Sequence, residues 1–176
     1  MPNKLYPIPQ GFLLSPYMNG PDVYMDLARS PLETIREFPL AFDLLYELKE
    51  PITWKPWEQD AEPIDSLFAE WGRKREEQKE RFQQNKRADA ALMGYSYCAF
   101  IACLHWINGQ SVSSLKPDLV HLGIKPVNSV ERLQYIRENP LQFHSFIQLK
   151  EMFAELEKMH KKKLLLSTFN KEKPLG

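Results

Sequence analysis

Apolar residues along the chain fall into helix-length stripes separated by proline- and glycine-bearing breaks. Ser30-Pro31-Leu32-Glu33 carries a cluster of helix-start signals: a capping serine, a proline at the first helical position and a glutamate that completes a capping box. Leu32, Ile35, Phe38, Phe42, Leu45 and Leu48 then recur at helical spacing. Pro39 lies inside that stripe and predicts a kink or a split into two helices. Residues 51–63 read as a proline-rich loop holding Trp54 and Trp57, followed by a helix with Ile64, Leu67, Phe68 and Trp71 on one face. From Gly72 to Arg87 Phe82 is the only large apolar residue, which predicts either an exposed helix or a mobile connection.

The segment Ala90–Ile107 has no Lys, Arg, Asp or Glu and is apolar all round, and Asn108-Gly109 supplies a helix end. Its length approaches that of a bilayer span, but Gly94, Ser96 and His105 interrupt it and Ala90, Ala91, Ala99 and Ala102 line it. The reading is a central helix wrapped by others. Val112–Leu122 is expected as a short helix interrupted near Pro117, and Gly123–Pro126 as a turn. Asn128 is expected to cap the next helix, with Glu131 as the capping-box partner and Val130, Leu133 and Ile136 as its apolar face, ending before Asn139-Pro140. The last helix is expected over Leu141–Lys161, with Phe143, Phe146, Ile147, Met152, Phe153 and Leu156 as its buried stripe.

Composition supports an all-α fold. Leu occurs 23 times, whereas Val, Ile and Thr together occur 17 times, and residues branched at Cβ favour strands. Of the 14 prolines none falls between residues 64 and 116, which leaves room for long helices. The expected architecture is therefore one compact bundle of five to seven helices around residues 90–107. The expected division is an extended proline-rich arm over 1–21 lying on the surface, a helical domain over 22–161, and a frayed basic tail over 162–176.

Lys plus Arg and Asp plus Glu each number 23, so no polyanionic partner is demanded. The charge is nevertheless uneven, −7 over residues 1–72 and +7 over 73–176. Cys98 and Cys103 point about 140° apart on a helix, a poor disulfide pair. The first twenty residues lack an apolar run long enough for a secretory signal, and the expectation is a cytoplasmic protein.

Candidate chemistry is sparse. Nucleotide-binding glycine motifs, H-E-x-x-H and paired C-x-x-C are missing from the sequence, and no catalytic residue, metal or cofactor is expected. Glu157 and His160 have the Glu-x-x-His spacing of di-iron bundles, but there is no second copy and Lys161–Lys163 follow. His105 reads as a hydrogen-bonded core residue, and neither cysteine has a helical neighbour placed as a base. Arg73, Lys74, Arg75, Lys79, Arg81, Lys86 and Arg87 could contact nucleic acid, but Glu76, Glu77 and Glu80 break the basic stripe. Lys161–Lys163 beside Leu164–Leu166 and Phe169 offer only weak membrane contact. Trp54 and Trp57 present rigid aromatics suited to a protein partner, or else cover the bundle's own core. The favoured function is a non-catalytic protein that binds an unidentified protein, with a nucleic-acid accessory role through residues 73–87 as the alternative.

Several segments resemble the YpoC-like family of Firmicutes over roughly residues 50–160. They are Pro56-Trp57-Glu58, Leu67–Trp71, Phe100–Asn108, Lys125-Pro-Val-Asn128 with Glu131-Arg132-Leu133, and Phe143–Leu149. The resemblance implies no established biochemical activity. It directs attention to Lys125, Asn128, Arg132, His144, Ser145 and Gln148, expected as one polar cluster where two helices meet near Asn139-Pro140.

Overall fold

The computed structural model describes residues 3–173. Six α-helices dominate it: α1 (Pro31–Glu37), α2 (Ala41–Glu47), α3 (Glu62–Gln83), α4 (Ala90–Ile107), α5 (Ser129–Glu138) and α6 (Phe143–Glu172). Two short strands precede them, β1 (Lys4–Pro7) and β2 (Asp22–Met25), paired antiparallel from Lys4 opposite Met25 to Pro7 opposite Asp22.

The hub is α4. Every residue from Ser96 to Ile107 is buried, and α3, α6 and the turn Pro56–Glu58 pack around it. Ala90–Ile107 has the length and composition of a membrane span, yet 83% of it is buried inside the protein, as for the core helix of a bundle. Asp89 caps its start by accepting the Leu92 N–H at 3.0 Å. At its end the Asn108 side chain donates to the carbonyls of Leu104 (2.7 Å) and Ile124 (2.8 Å) and accepts the Ile124 N–H at 2.9 Å. One amide thus satisfies a helix terminus and anchors the following loop. On the α3–α6 side, Trp71 stacks on Phe153 with ring centres 4.3 Å apart and planes 11° apart, and Phe100 meets Phe153 edge-on.

The Ser30 capping box forms: the Ser30 hydroxyl accepts the Glu33 N–H and the Glu33 carboxylate accepts the Ser30 N–H. Pro39 separates α1 from α2. The charged stretch after Gly72 continues α3 as a helix to Gln83, exposed on one side but with Gln78 buried, its side-chain oxygen accepting the Asp89 N–H at 3.2 Å.

The N-terminal segment differs from the expected surface arm. Tyr6 and Phe12 are buried, and the strand pairing runs across the expected boundary between residues 21 and 22. The Leu115 N–H donates to the Gly11 carbonyl at 2.8 Å, and a side chain at Gly11 would meet the Ser113 carbonyl oxygen. Gly94 makes room for Tyr17 in the same way, and the Tyr17 hydroxyl reaches the Pro140 carbonyl at 2.9 Å.

Three further expectations are corrected. Val112–Leu122 forms no helix: Pro117 interrupts it, and the Ser114 and Asp118 side chains take the N–H groups of Lys116 and Val120. Asn128 does precede α5, but its backbone is left-handed (φ 54°) and its side chain caps nothing, so the box with Glu131 is not made. Finally, α6 runs on to Glu172 instead of stopping at Lys161, and the Lys163 amine donates to the Ile107 carbonyl at the end of α4. Nothing in residues 162–172 breaks a helix, and this contact secures the extension.

Candidate functional site

Trp54 and Trp57 pack onto the bundle. Trp57 is buried and meets Tyr46 edge-on at 5.2 Å, while the half-buried Trp54 meets Phe42 edge-on at 4.9 Å. Both rings therefore cover α2.

The polar cluster expected around Asn139-Pro140 forms in part. Asn128, Arg132, His144 and Gln148 line one shallow depression of about 430 Å³ between α5 and α6. Arg132 is its centre. Its guanidinium donates to Gln148 at 2.9 Å, to Glu155 at 2.8 Å and to the Val127 carbonyl at 3.2 Å, and it stands 3.6 Å from Glu151. The Gln148 amide and His144 Nε2 are 3.3 Å apart, and the His144 ring meets Tyr135 edge-on. Ser145 points elsewhere, its hydroxyl donating to the Asn139 carbonyl at 2.5 Å. Lys125 is also apart: its amine donates to the carbonyls of Leu119 and Leu122, both at 3.0 Å. Apart from the Asn128 amide, each of these polar side chains has a partner within the protein, and Arg132 with Gln148 and Glu155 fixes α5 on α6.

Buried reactive groups are quiet. Burial pushes the Cys98 thiol up to about 12 and Cys103 higher still, so neither is a ready thiolate. His105 donates through Nδ1–H to the Ile101 carbonyl at 2.8 Å, and burial lowers its basicity. His160 Nε2 stands 3.0 Å from Asp65 Oδ1, bridging α6 to α3. Among the described residues no three His, Cys, Asp or Glu side chains converge as a metal site.

A buried carboxylate escaped the sequence reading. Asp43, on α2, is wholly inside, and its Oδ1 accepts the Trp106 indole N–H at 3.2 Å and the Val112 N–H at 2.6 Å. Desolvation pushes it up to about 7, against the pull of those hydrogen bonds. It is a tether between α2, α4 and the following loop.

The basic residues of α3 are largely matched by acids on the same helix and at the start of α4. Arg73 pairs with Glu70 at 2.6 Å and lies 3.9 Å from Glu77, Arg75 and Lys79 flank Glu76, and Arg81 faces Asp89. Lys74 lies over the Tyr95 ring at 4.4 Å. Lys74 on α3, and Lys86 and Arg87 in the turn after it, have no acidic partner among the described residues.

Two surfaces remain open. One is the distal part of α6, where every residue from Lys161 to Lys173 is exposed. There Leu165 is 71% exposed, Leu166 54% and Phe169 61%, at helical spacings that share a face. The other is a trough between the second half of α3 and the first turns of α6. The assignment of Phe143 to the buried stripe is corrected here: it is 55% exposed and belongs to this trough.

The fold defines a class: a helical bundle built around one buried helix without charged residues. The chain belongs to the YpoC-like protein family, whose model matches residues 61–168, from the start of α3 nearly to the end of α6. It is similar to a Bacillus subtilis (strain 168) protein described as uncharacterized protein YpoC, 32% identical over 130 residues, covering 72% of this chain and 77% of that one. No solved structure matches it.

Proposed function

We propose that this protein is a non-catalytic cytoplasmic binding protein that docks another protein on the projecting end of α6. The observation that carries the reading is the exposed face of Leu165, Leu166 and Phe169. Isolated apolar side chains on a surface need no explanation, but a contiguous set on a projecting helix suits insertion into a partner's groove. Trp54 and Trp57 are already used by the bundle, so the interaction moves to α6.

The adjoining lysines favour protein over membrane. Lys161 pairs with Glu157 at 3.3 Å, and the Lys163 amine is engaged by the Ile107 carbonyl. Lys162 is the one cation of the triplet left without a partner among the described residues, with Lys171 and Lys173 further along, and each such lysine attracts an anionic bilayer by only about 1 kcal/mol. The test is crosslinking from the α6 face inside the cell, with flotation on anionic vesicles as the membrane arm. A partner protein joined through that face supports the reading, whereas co-flotation without such a partner replaces it.

A further inference from the structure

The α3–α6 trough has the form of a ligand site distinct from the α6 end. Its volume is about 550 Å³, within the range of small-molecule sites, roughly 300–1,000 Å³. On α3 it is lined by Arg75, Lys79 and Phe82, spaced by four and three positions, so they share one face. On α6 it is lined by Phe143, Phe146, Ile147 and Lys150, again at one-face spacing.

Chemistry is segregated within it. The Phe82 ring meets Phe143 edge-on at 5.0 Å and lies 5.4 Å from Phe146, giving a continuous apolar floor. Phe82 is the one large apolar residue in an otherwise charged stretch, and Phe143 leaves more than half its surface in water. Around this floor stand Arg75, Lys79 and Lys150. Glu76 is the only carboxylate in the lining, and it stands 3.6 Å from Arg75 and 3.9 Å from Lys79. Lys150 has no ion pair among the described residues. The rim thus keeps an excess of positive charge over an apolar trough.

We infer that this trough binds a single-chain amphiphile with an anionic head, a free fatty carboxylate. The alkyl chain lies along Phe82, Phe143, Phe146 and Ile147, and the head sits among Lys79, Lys150 and Arg75. A cationic rim disfavours a cationic amphiphile, and an alcohol of equal chain length keeps only the apolar contact. Phosphate would satisfy the same cations, so the head-group chemistry is shared with lipids; the size of the trough, about 550 Å³, suits one free chain.

Titration calorimetry on the full chain, below micelle-forming concentration, tests this with dodecanoate, dodecyl phosphate, dodecanol and dodecyltrimethylammonium. Saturable one-to-one binding of dodecanoate is expected, with the cationic analogue at least about tenfold weaker. Lys79→Gln with Lys150→Gln should weaken dodecanoate about tenfold and leave dodecanol unchanged. Phe143→Asp, at an exposed position and with circular dichroism as the check that the fold is kept, should weaken both chains. Equal affinity for the cationic amphiphile, insensitivity to Phe143→Asp, or no saturable binding of dodecanoate overturns the inference. Binding only to phosphatidylglycerol vesicles, or only to an acidic aromatic peptide, overturns it too.

Discussion

The Trp106 indole donates a hydrogen bond to Asp43 across 63 positions of sequence, 3.2 Å from Nε1 to Oδ1. The other carboxyl oxygen, Oδ2, is buried without a hydrogen-bond partner. That imbalance gives the protein a pH-dependent weakness. Asp43 holds its proton up to about 7 when folded, against an ordinary value of 3.8. The folded state therefore binds the proton more tightly than the unfolded chain. The contribution is fully present below about 3.8 and is lost as pH rises to about 7. Asp43→Asn keeps an acceptor for Trp106 and Val112 and removes the titration. The stability difference, wild type minus variant, should fall by at most about 4 kcal/mol across that window. Urea denaturation at several pH values reads it, and a constant difference contradicts the assignment.

The two loop tryptophans should behave as structural residues. Trp57→Ala leaves a hole beside Tyr46 and should cost about 3 kcal/mol, and Trp54→Ala, half-buried against Phe42, about half of that. Denaturant unfolding measures both. Full stability in either variant means that the ring is free for a partner after all.

Arg132 and His144 share a depression but not a burden. Arg132→Ala strips donors from Gln148, Glu155 and the Val127 carbonyl, and should cost about 1–3 kcal/mol in thermal or urea unfolding. His144→Ala, exposed and touching only Gln148 and Tyr135, should cost under about 0.5 kcal/mol. The reverse order would place the weight of the cluster on the histidine.

Internal ion pairing on α3 predicts weak polyanion binding. Fluorescence anisotropy with single-stranded and duplex DNA at low salt should show no saturable binding. A complex that weakens steeply with salt and is lost on Lys86→Gln with Arg87→Gln would revive the nucleic-acid role.

The central helix was legible in the sequence because 18 uncharged residues ending at Asn108-Gly109 can only be buried or in lipid, and the small residues chose between them. Ser30 and Pro39 were legible because their effects are local. The N-terminal segment was not: Tyr6 and Phe12 are buried by a strand and a loop distant in sequence, and no nearby periodicity reports that. Val112, Leu115, Leu119 and Leu122 repeat at helical spacing, yet side-chain turns bury the same residues without a helix. In the polar cluster, Arg132 and Gln148 were recognisable, but the glutamates that neutralise Arg132 sit one and two turns further along α6 and turn a candidate site into a brace. Asp43 was missed because a lone acid on a short helix reads as solvated. Phe143 was misassigned because spacing alone cannot say that the first turn of a helix overhangs its neighbour.

The central claim is that α6 carries the working surface. A photo-crosslinking residue placed at position 165 or 169 in the native cell interrogates it directly, with position 86 on the far turn as control. The account predicts a discrete protein adduct from 165 and 169, absent from 86, and abolished by Leu166→Asp without loss of helicity. Adducts of equal yield from all three positions, or none from the α6 face, would contradict it.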